Sequence, residues 1–170
     1  PDDSGIWTDH TAGIGLGHRR LSIIDPSPVG HQPMSSHSGR YVISYNGEIY
    51  NFTDLMTEPS ATGTGLAGRS HTEVILASIE RWGIEKALEK FIGMFAFALW
   101  DRERRELTLV RDRLGIKPLY YGWVDGEAGG GVVFGSELKA LRKYPGFAPD
   151  VAPDAAAMML QYGYIPAPHT

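Results

Sequence analysis

The chain of 170 residues contains no cysteine. That excludes disulfide bridges, thiolate metal ligands and a cysteine nucleophile among these residues. It has no long apolar run either. The longest, Met94–Trp100, is strand length and far short of the ~20 residues that span a bilayer. The opening Pro-Asp-Asp-Ser-Gly has neither the basic nor the apolar region of a signal peptide. Positive charge is scarce: 16 Lys and Arg stand against 20 Asp and Glu, a net charge of −4 with a pI near 5.8. A mildly acidic surface offers no footprint for nucleic acid. The histidines number 6, without a His-x-x-x-His or His-x-His spacing, so no metal site is expected. Gly13-Ile-Gly-Leu-Gly17 lacks the Gly-Lys-Ser/Thr of a phosphate-binding loop. What is present is globular: 42% hydrophobic and 21% charged residues, enough for one ordinary domain with a real core.

Periodicity outlines the elements. Ala12 to Ile24 alternates apolar residues with glycine or polar ones, which predicts a strand, and its glycines predict close approach by another backbone. Asp25 to Gln32 reads as a loop. Tyr41–Ser44 reads as a strand, and Asn46-Gly47 predicts a tight turn into a second apolar run from Glu48, hence a hairpin. A helix begins near Thr53, and Pro59 with the Ser-Ala-Thr-Gly-Thr-Gly stretch turns the chain into a surface loop. Ser70-His-Thr-Glu73 has capping-box spacing ahead of a helical face formed by Val74, Ile75, Ile79 and Trp82. Gly83 divides that helix from a continuation to Phe91 or interrupts a single one. Met94–Trp100 predicts a strand buried on both faces, with Leu107–Val110 as its antiparallel partner. Leu119–Trp123 and Val132–Phe134 pair around a glycine-rich turn, and the Tyr120, Tyr121 and Trp123 rings read as core. Ser136–Tyr144 and Asp154–Tyr162 close the chain as helices. Strands and helices in separate runs argue for an antiparallel α+β architecture of two stacked sheets with helices outside.

Three segments combine polar residues with tight backbone: His18–Asp25, Tyr45–Asn51 and Arg111–Tyr121. An asparagine amide beside a glycine N–H supplies two donors for a developing oxyanion. Glu48 accepts from an amide or ammonium group, and Arg20 offers a planar fork for a carboxylate. Together these would recognise a small zwitterion. Each feature also has an ordinary reading, Asn-Gly as a bare turn and Arg20 as a surface ion pair. Arg111 and Asp112 read as a buried ion pair that holds a turn to the sheet, rather than as a catalytic acid.

Arg20-Leu-Ser-Ile-Ile-Asp25, Tyr45-Asn-Gly-Glu-Ile-Tyr-Asn51, Gly93-Met-Phe-Ala-Phe-Ala-Leu-Trp-Asp101, Arg111-Asp-Arg-Leu-Gly-Ile-Lys-Pro-Leu-Tyr-Tyr121 and Ser136-Glu-Leu-Lys-Ala-Leu141 stand in order along the chain. Together they resemble the glutaminase domain of glutamine-hydrolysing asparagine synthetases, a class II glutamine amidotransferase. The resemblance implies an N-terminal nucleophile hydrolase-like αββα sandwich of two antiparallel sheets, here without its first strand and helix. Residues 1–150 would be the amidotransferase domain, incomplete at its N-terminus. Residues 151–170 would be a final helix and linker toward an absent ATP-dependent synthetase domain.

The same resemblance implies glutamine hydrolysis to glutamate and ammonia, with the ammonia passed on to amidate aspartate. It assigns Asn46 and Gly47 to the oxyanion hole and Arg20 to the glutamine α-carboxylate. Leu21, Ser22, Ile23 and Ile24 would line the pocket floor, and Glu48 would meet the substrate's polar end. His71 occupies the slot where the family carries an aspartate that binds the substrate ammonium; a neutral imidazole accepts one hydrogen bond there, an imidazolium repels. The family nucleophile is an N-terminal cysteine, so this chain is expected to be inactive alone. No cofactor is expected in this domain, with ATP and magnesium confined to the synthetase domain. Expected partners are glutamine, that synthetase domain and a second copy in a homodimer, with no nucleic acid and no membrane, in the cytoplasm. The competing reading is a decayed amidotransferase-like binding or regulatory module. A third makes Pro1 a catalytic amine, against which the adjacent Asp2 and Asp3 count.

Overall fold

In a computed structural model, residues 3–20, 30–57, 70–125, 130–147 and 150–166 are described, Arg20 by its backbone alone. The chain divides into two compact units, 1–119 and 120–170.

The first unit opens with β1 (Asp3–Asp9) and β2 (Ile14–Arg20), an antiparallel pair in which Asp3 faces Arg20 and Asp9 faces Ile14. A four-stranded antiparallel sheet follows, in the order β3 (Met34–Ser35), β4 (Tyr41–Ile49), β5 (Gly93–Asp101) and β6 (Glu106–Arg111). Between β4 and β5 run α1 (Phe52–Thr57), α2 (His71–Trp82) and α3 (Ile84–Lys90). The break at Gly83 is real: this residue, at φ +78°, ends α2 and begins α3. Ser70 and Glu73 form the expected capping box, each side chain bonding the other's backbone N–H.

The layering follows from alternation along β5. Phe95, Phe97 and Leu99 join Ile43, Tyr45, Ile49, Val74, Ile75 and Ile79 in one core beneath the helices. Each such side chain, fully buried, contributes about 1.5–3 kcal/mol. The intervening Ala96 and Ala98 are equally buried but lie outside that cluster, on the face with Val42. Small residues there admit a second sheet, and Ser44 Oγ bonds the Gly17 carbonyl of β2 at 3.2 Å. The inward side chain of β2 is Leu16, 2% exposed. Helices, sheet and second sheet therefore stack in that order.

Several expectations are corrected. Asn46-Gly47 is not a turn. β4 runs unbroken through it, with Asn46 opposite Ala96 and Gly47 opposite Phe95. A Cβ at Gly47 would stand 2.6 Å from Phe95 Cα, so the glycine serves close strand approach rather than chain reversal. In β2 the reverse holds: Gly15 and Gly17 have ordinary clearance, and the tight glycine is Gly5 in β1, where a Cβ would meet His31 Nε2 at 2.7 Å. Arg111 and Asp112 do not pair with each other. Arg111 donates to the carbonyls of Lys117 and Gly115. Asp112, 6% exposed, accepts from the backbone N–H groups of Phe95, Leu114, Ile116 and Lys117. The loop expected near Pro59 lies outside the described residues.

The second unit holds the antiparallel pair β7 (Tyr120–Val124) and β8 (Gly131–Gly135), then α4 (Leu138–Leu141) and α5 (Pro153–Tyr162). Its aromatic residues are not core. Tyr121 is 67% and Trp123 81% exposed, because a two-stranded sheet has no second layer of its own to cover that face. No described helix is long and apolar enough to cross a membrane.

Asp112 makes a stability prediction. Burial pushes its carboxyl up, and the backbone donors of Lys117, Ile116, Phe95 and Leu114 more than offset that, leaving it below the usual aspartate value. The stabilisation is present above the unfolded pKa and is lost as pH falls through the folded one. Asp112→Ala should lower unfolding free energy by about 2–4 kcal/mol near neutral pH. Denaturant titrations should show the gap from the unaltered chain closing in acid.

Candidate functional site

The outer edge of β4, the edge away from β5, carries the candidate residues Asn46, Gly47 and Glu48. In an antiparallel strand, backbone N–H groups of alternate residues point to the same edge. Tyr45 bonds Gln32 there: its N–H reaches Oε1 at 2.6 Å, and its carbonyl accepts from Nε2 at 3.1 Å. Four residues on, the Ile49 N–H donates to His71 Nδ1 at 3.1 Å. Gly47 lies between them on the same edge. Its neighbour in β5, Phe95, directs both backbone groups the other way, to Asp112. Among the described residues no side chain bonds the Gly47 N–H. One backbone donor thus stands open between two occupied positions.

Asn46 and Glu48 belong to the opposite alternation from Tyr45 and Ile49, which lie in the core. They share a face with Ser44, whose hydroxyl contacts Gly17 and lies 3.5 Å from His18 Nδ1 on β2. The polar face of β4 therefore looks toward the second sheet. Asn46, Gly47 and Glu48 are all partly exposed. An amide, an open N–H and a carboxylate on successive residues suit a polarised carbonyl beside a cationic group.

His71 is the first residue of α2, set against this segment by the Ile49 bond. Its ring packs on Phe52 with centroids 4.4 Å apart. Burial lowers its pKa, and the nearby Glu48 charge opposes that to a smaller degree. Because Nδ1 accepts from Ile49, the neutral imidazole carries its proton on Nε2. That Nε2 is buried and has no hydrogen-bond partner among the described residues. Glu48 also acts on Tyr45, whose phenol is raised mainly by burial and further by that charge.

The expected site residues are thus partly assembled. Asn46, Gly47 and Glu48 are consecutive on β4, and His71 joins them through Ile49. Arg20 ends β2, two residues past His18, and only its backbone is described. Leu21, Ser22, Ile23 and Ile24 lie outside the described residues. Sequence reasoning missed Gln32 and Phe52. No local pattern signals Gln32, which precedes Pro33 in a stretch that reads as loop.

The family model described as a glutamine amidotransferase domain matches residues 1–170. Asparagine synthetase [glutamine-hydrolyzing] 3 of Bacillus subtilis is 42% identical over 147 residues, covering 85% of this chain and 23% of that protein. Asparagine synthetase [glutamine-hydrolyzing] 1 of the same organism is 38% identical over 170 residues, covering 100% of this chain and 26% of that protein. The chain thus spans about a quarter of the length of these relatives. Among solved structures, a glutamine phosphoribosylpyrophosphate amidotransferase from B. subtilis superposes with a TM-score of 0.59 at 24% identity, covering 75% of this chain and 28% of that one. The expected N-terminal nucleophile hydrolase-like sandwich is therefore the fold of this chain.

The His71 geometry has a direct spectroscopic consequence. Nitrogen-15 shifts should show the Nε2–H tautomer, with protonation only below the ordinary value of 6.5. Since the folded pKa is the lower one, this group's stabilisation is complete above the unfolded pKa and falls away as pH drops toward the folded one. An Nδ1–H tautomer, or titration above the ordinary value, would contradict the bond to Ile49.

Proposed function

Because the chain belongs to the glutamine amidotransferase domain family, we propose that it is the glutaminase half of an ATP-dependent asparagine synthetase. It holds glutamine for hydrolysis to glutamate and supplies the released ammonia for amidation of aspartate. One observation carries this reading: the open Gly47 N–H on the β4 edge, with the Asn46 amide beside it.

In the proposed arrangement the side-chain carbonyl of glutamine lies against Asn46 and Gly47. As a nucleophile adds to that carbon, the oxygen gains charge and both donors strengthen their bonds to it. Arg20 takes the α-carboxylate through its planar fork, and Leu21, Ser22, Ile23 and Ile24 form the floor. Glu48 receives the α-ammonium. His71 stands beside it with its lone pair engaged by Ile49, so it cannot accept from the ammonium in this tautomer. The cation therefore rests on Glu48, and the neutral state of His71 spares it a repulsive charge.

The reaction needs a nucleophile that these residues do not include, since the chain has no cysteine. The chain alone is accordingly expected to be inactive. Aspartate activation, with its ATP and magnesium, would belong to a further synthetase domain of the full-length protein, which would work in the cytoplasm as a homodimer. In this reading residues 1–150 are the amidotransferase domain and 151–170 lead toward the synthetase.

The test uses the full-length protein with either glutamine or ammonia as nitrogen donor. Asn46→Ala should slow glutamine hydrolysis about a hundredfold or more, as for other lost oxyanion donors, and leave ammonia-dependent synthesis intact. Equal loss of both activities would refute the assignment. His71→Asp adds an acceptor for the ammonium and should lower the Michaelis constant for glutamine; an unchanged or higher constant would count against the slot. Failure of the unaltered protein to bind a glutamine analogue would leave a non-catalytic module as the reading.

A further inference from the structure

We propose that Gln32 is a positioning residue for the oxyanion pocket: its carboxamide replaces a neighbouring strand for one rung of β4 and then stops, leaving the Gly47 N–H uncovered. The consequence for catalysis rests on the glutamine-hydrolysing reading, whereas the geometry stands by itself.

The register makes the substitution visible. β3 pairs Met34 with Ile43 and Ser35 with Val42. Continued by two residues, the ladder would bring the backbone of residue 32 opposite Tyr45. That backbone is elsewhere. The Gln32 carbonyl lies against β1 at Gly5, in space that a Cβ would occupy. The side chain fills the rung instead, accepting from the Tyr45 N–H and donating to the Tyr45 carbonyl. Gln32 is 6% exposed, and its amide has one partner on each end.

The Tyr45 carbonyl and the Asn46 nitrogen belong to one planar peptide unit. A bond to the first therefore fixes the plane that launches Asn46. From the other side β5 holds the same stretch, with Ala96 opposite Asn46. The peptide is clamped between a strand and a side chain. A strand in place of Gln32 would continue past Tyr45 and cover the next outward N–H, which is that of Gly47. A side chain supplies one donor and one acceptor and ends there. Gln32 thus keeps the strand edge ordered up to the pocket without closing it.

Two substitutions in the full-length protein test this. Gln32→Met keeps length and bulk but removes both bonds. Gln32→Glu keeps the acceptor for the Tyr45 N–H and sets a carboxylate against the Tyr45 carbonyl. Both should lower kcat for glutamine hydrolysis by about 10- to 100-fold, the loss expected for misplaced reacting groups, with the Michaelis constant within about threefold. Ammonia-dependent synthesis should persist. Hydrogen exchange at the Tyr45 amide should accelerate in Gln32→Met and stay slow in Gln32→Glu. Folded variants with full kcat, or a drop in Tm alone, would overturn the proposal. If the unaltered protein hydrolysed no glutamine, the functional reading would fall. Unchanged Tyr45 exchange in Gln32→Met would then still decide against the positioning role.

Discussion

A backbone N–H withdrawn from water must find an acceptor, and the outer edge of β4 shows how this protein meets that demand and where, at a partly exposed residue, one donor has no partner among the described residues. The edge runs from a true strand partner at Ile43, through a glutamine amide at Tyr45, to an imidazole at Ile49. Three different chemical groups serve one purpose. The position they leave open is a glycine, where no side chain shields the donor. In the proposed reading, binding capacity arises here by omission from an otherwise completed hydrogen-bond pattern.

The rest of the first unit keeps that edge in place. Large residues of β5 pack beneath the helices and its alanines admit the second sheet, so β4 is held from both faces. The β5–β6 hairpin is tied at each end by an aspartate. Asp101 receives a two-pronged bond from Arg40 and caps the turn at Glu103 and Arg104. Asp112 gathers the backbone of the following loop and also bonds Phe95, the residue facing Gly47. Loop order and site order thus share one buried carboxylate.

Much of this was legible in the sequence, and the exceptions have physical causes. The apolar run Met94–Trp100 announces a strand buried on both faces, and residues 95–101 of β5 are buried throughout. The capping box at Ser70 is a local device and was readable locally. Asn46-Gly47 misled because a glycine needed for a turn and one needed for close strand approach look alike until the partner strand is known. Gln32 was silent for a related reason: its partner is the backbone of Tyr45, which has no sequence signature. The aromatic residues of β7 read as core because their number suggests burial, whereas burial depends on a covering layer. The tautomer of His71 depends on the Ile49 N–H and emerges only from the fold.

Gly93 in β5 answers Gly47 in β4. A Cβ on Gly93 would stand 3.0 Å from Ile49 Cα and 3.1 Å from the Glu48 carbonyl carbon, as one on Gly47 would crowd Phe95. Each strand presses into the space the other leaves at its glycine, so neither glycine can gain an atom while the backbone facing it stays put. The main chain from Asn46 to Ile49 consequently accepts no side chain at Gly47, and its partner strand none at Gly93, unless the facing backbone shifts. In the proposed glutaminase, a preference for a different amide donor would have to be built from the surrounding side chains, with these two glycines as the frame that carries them.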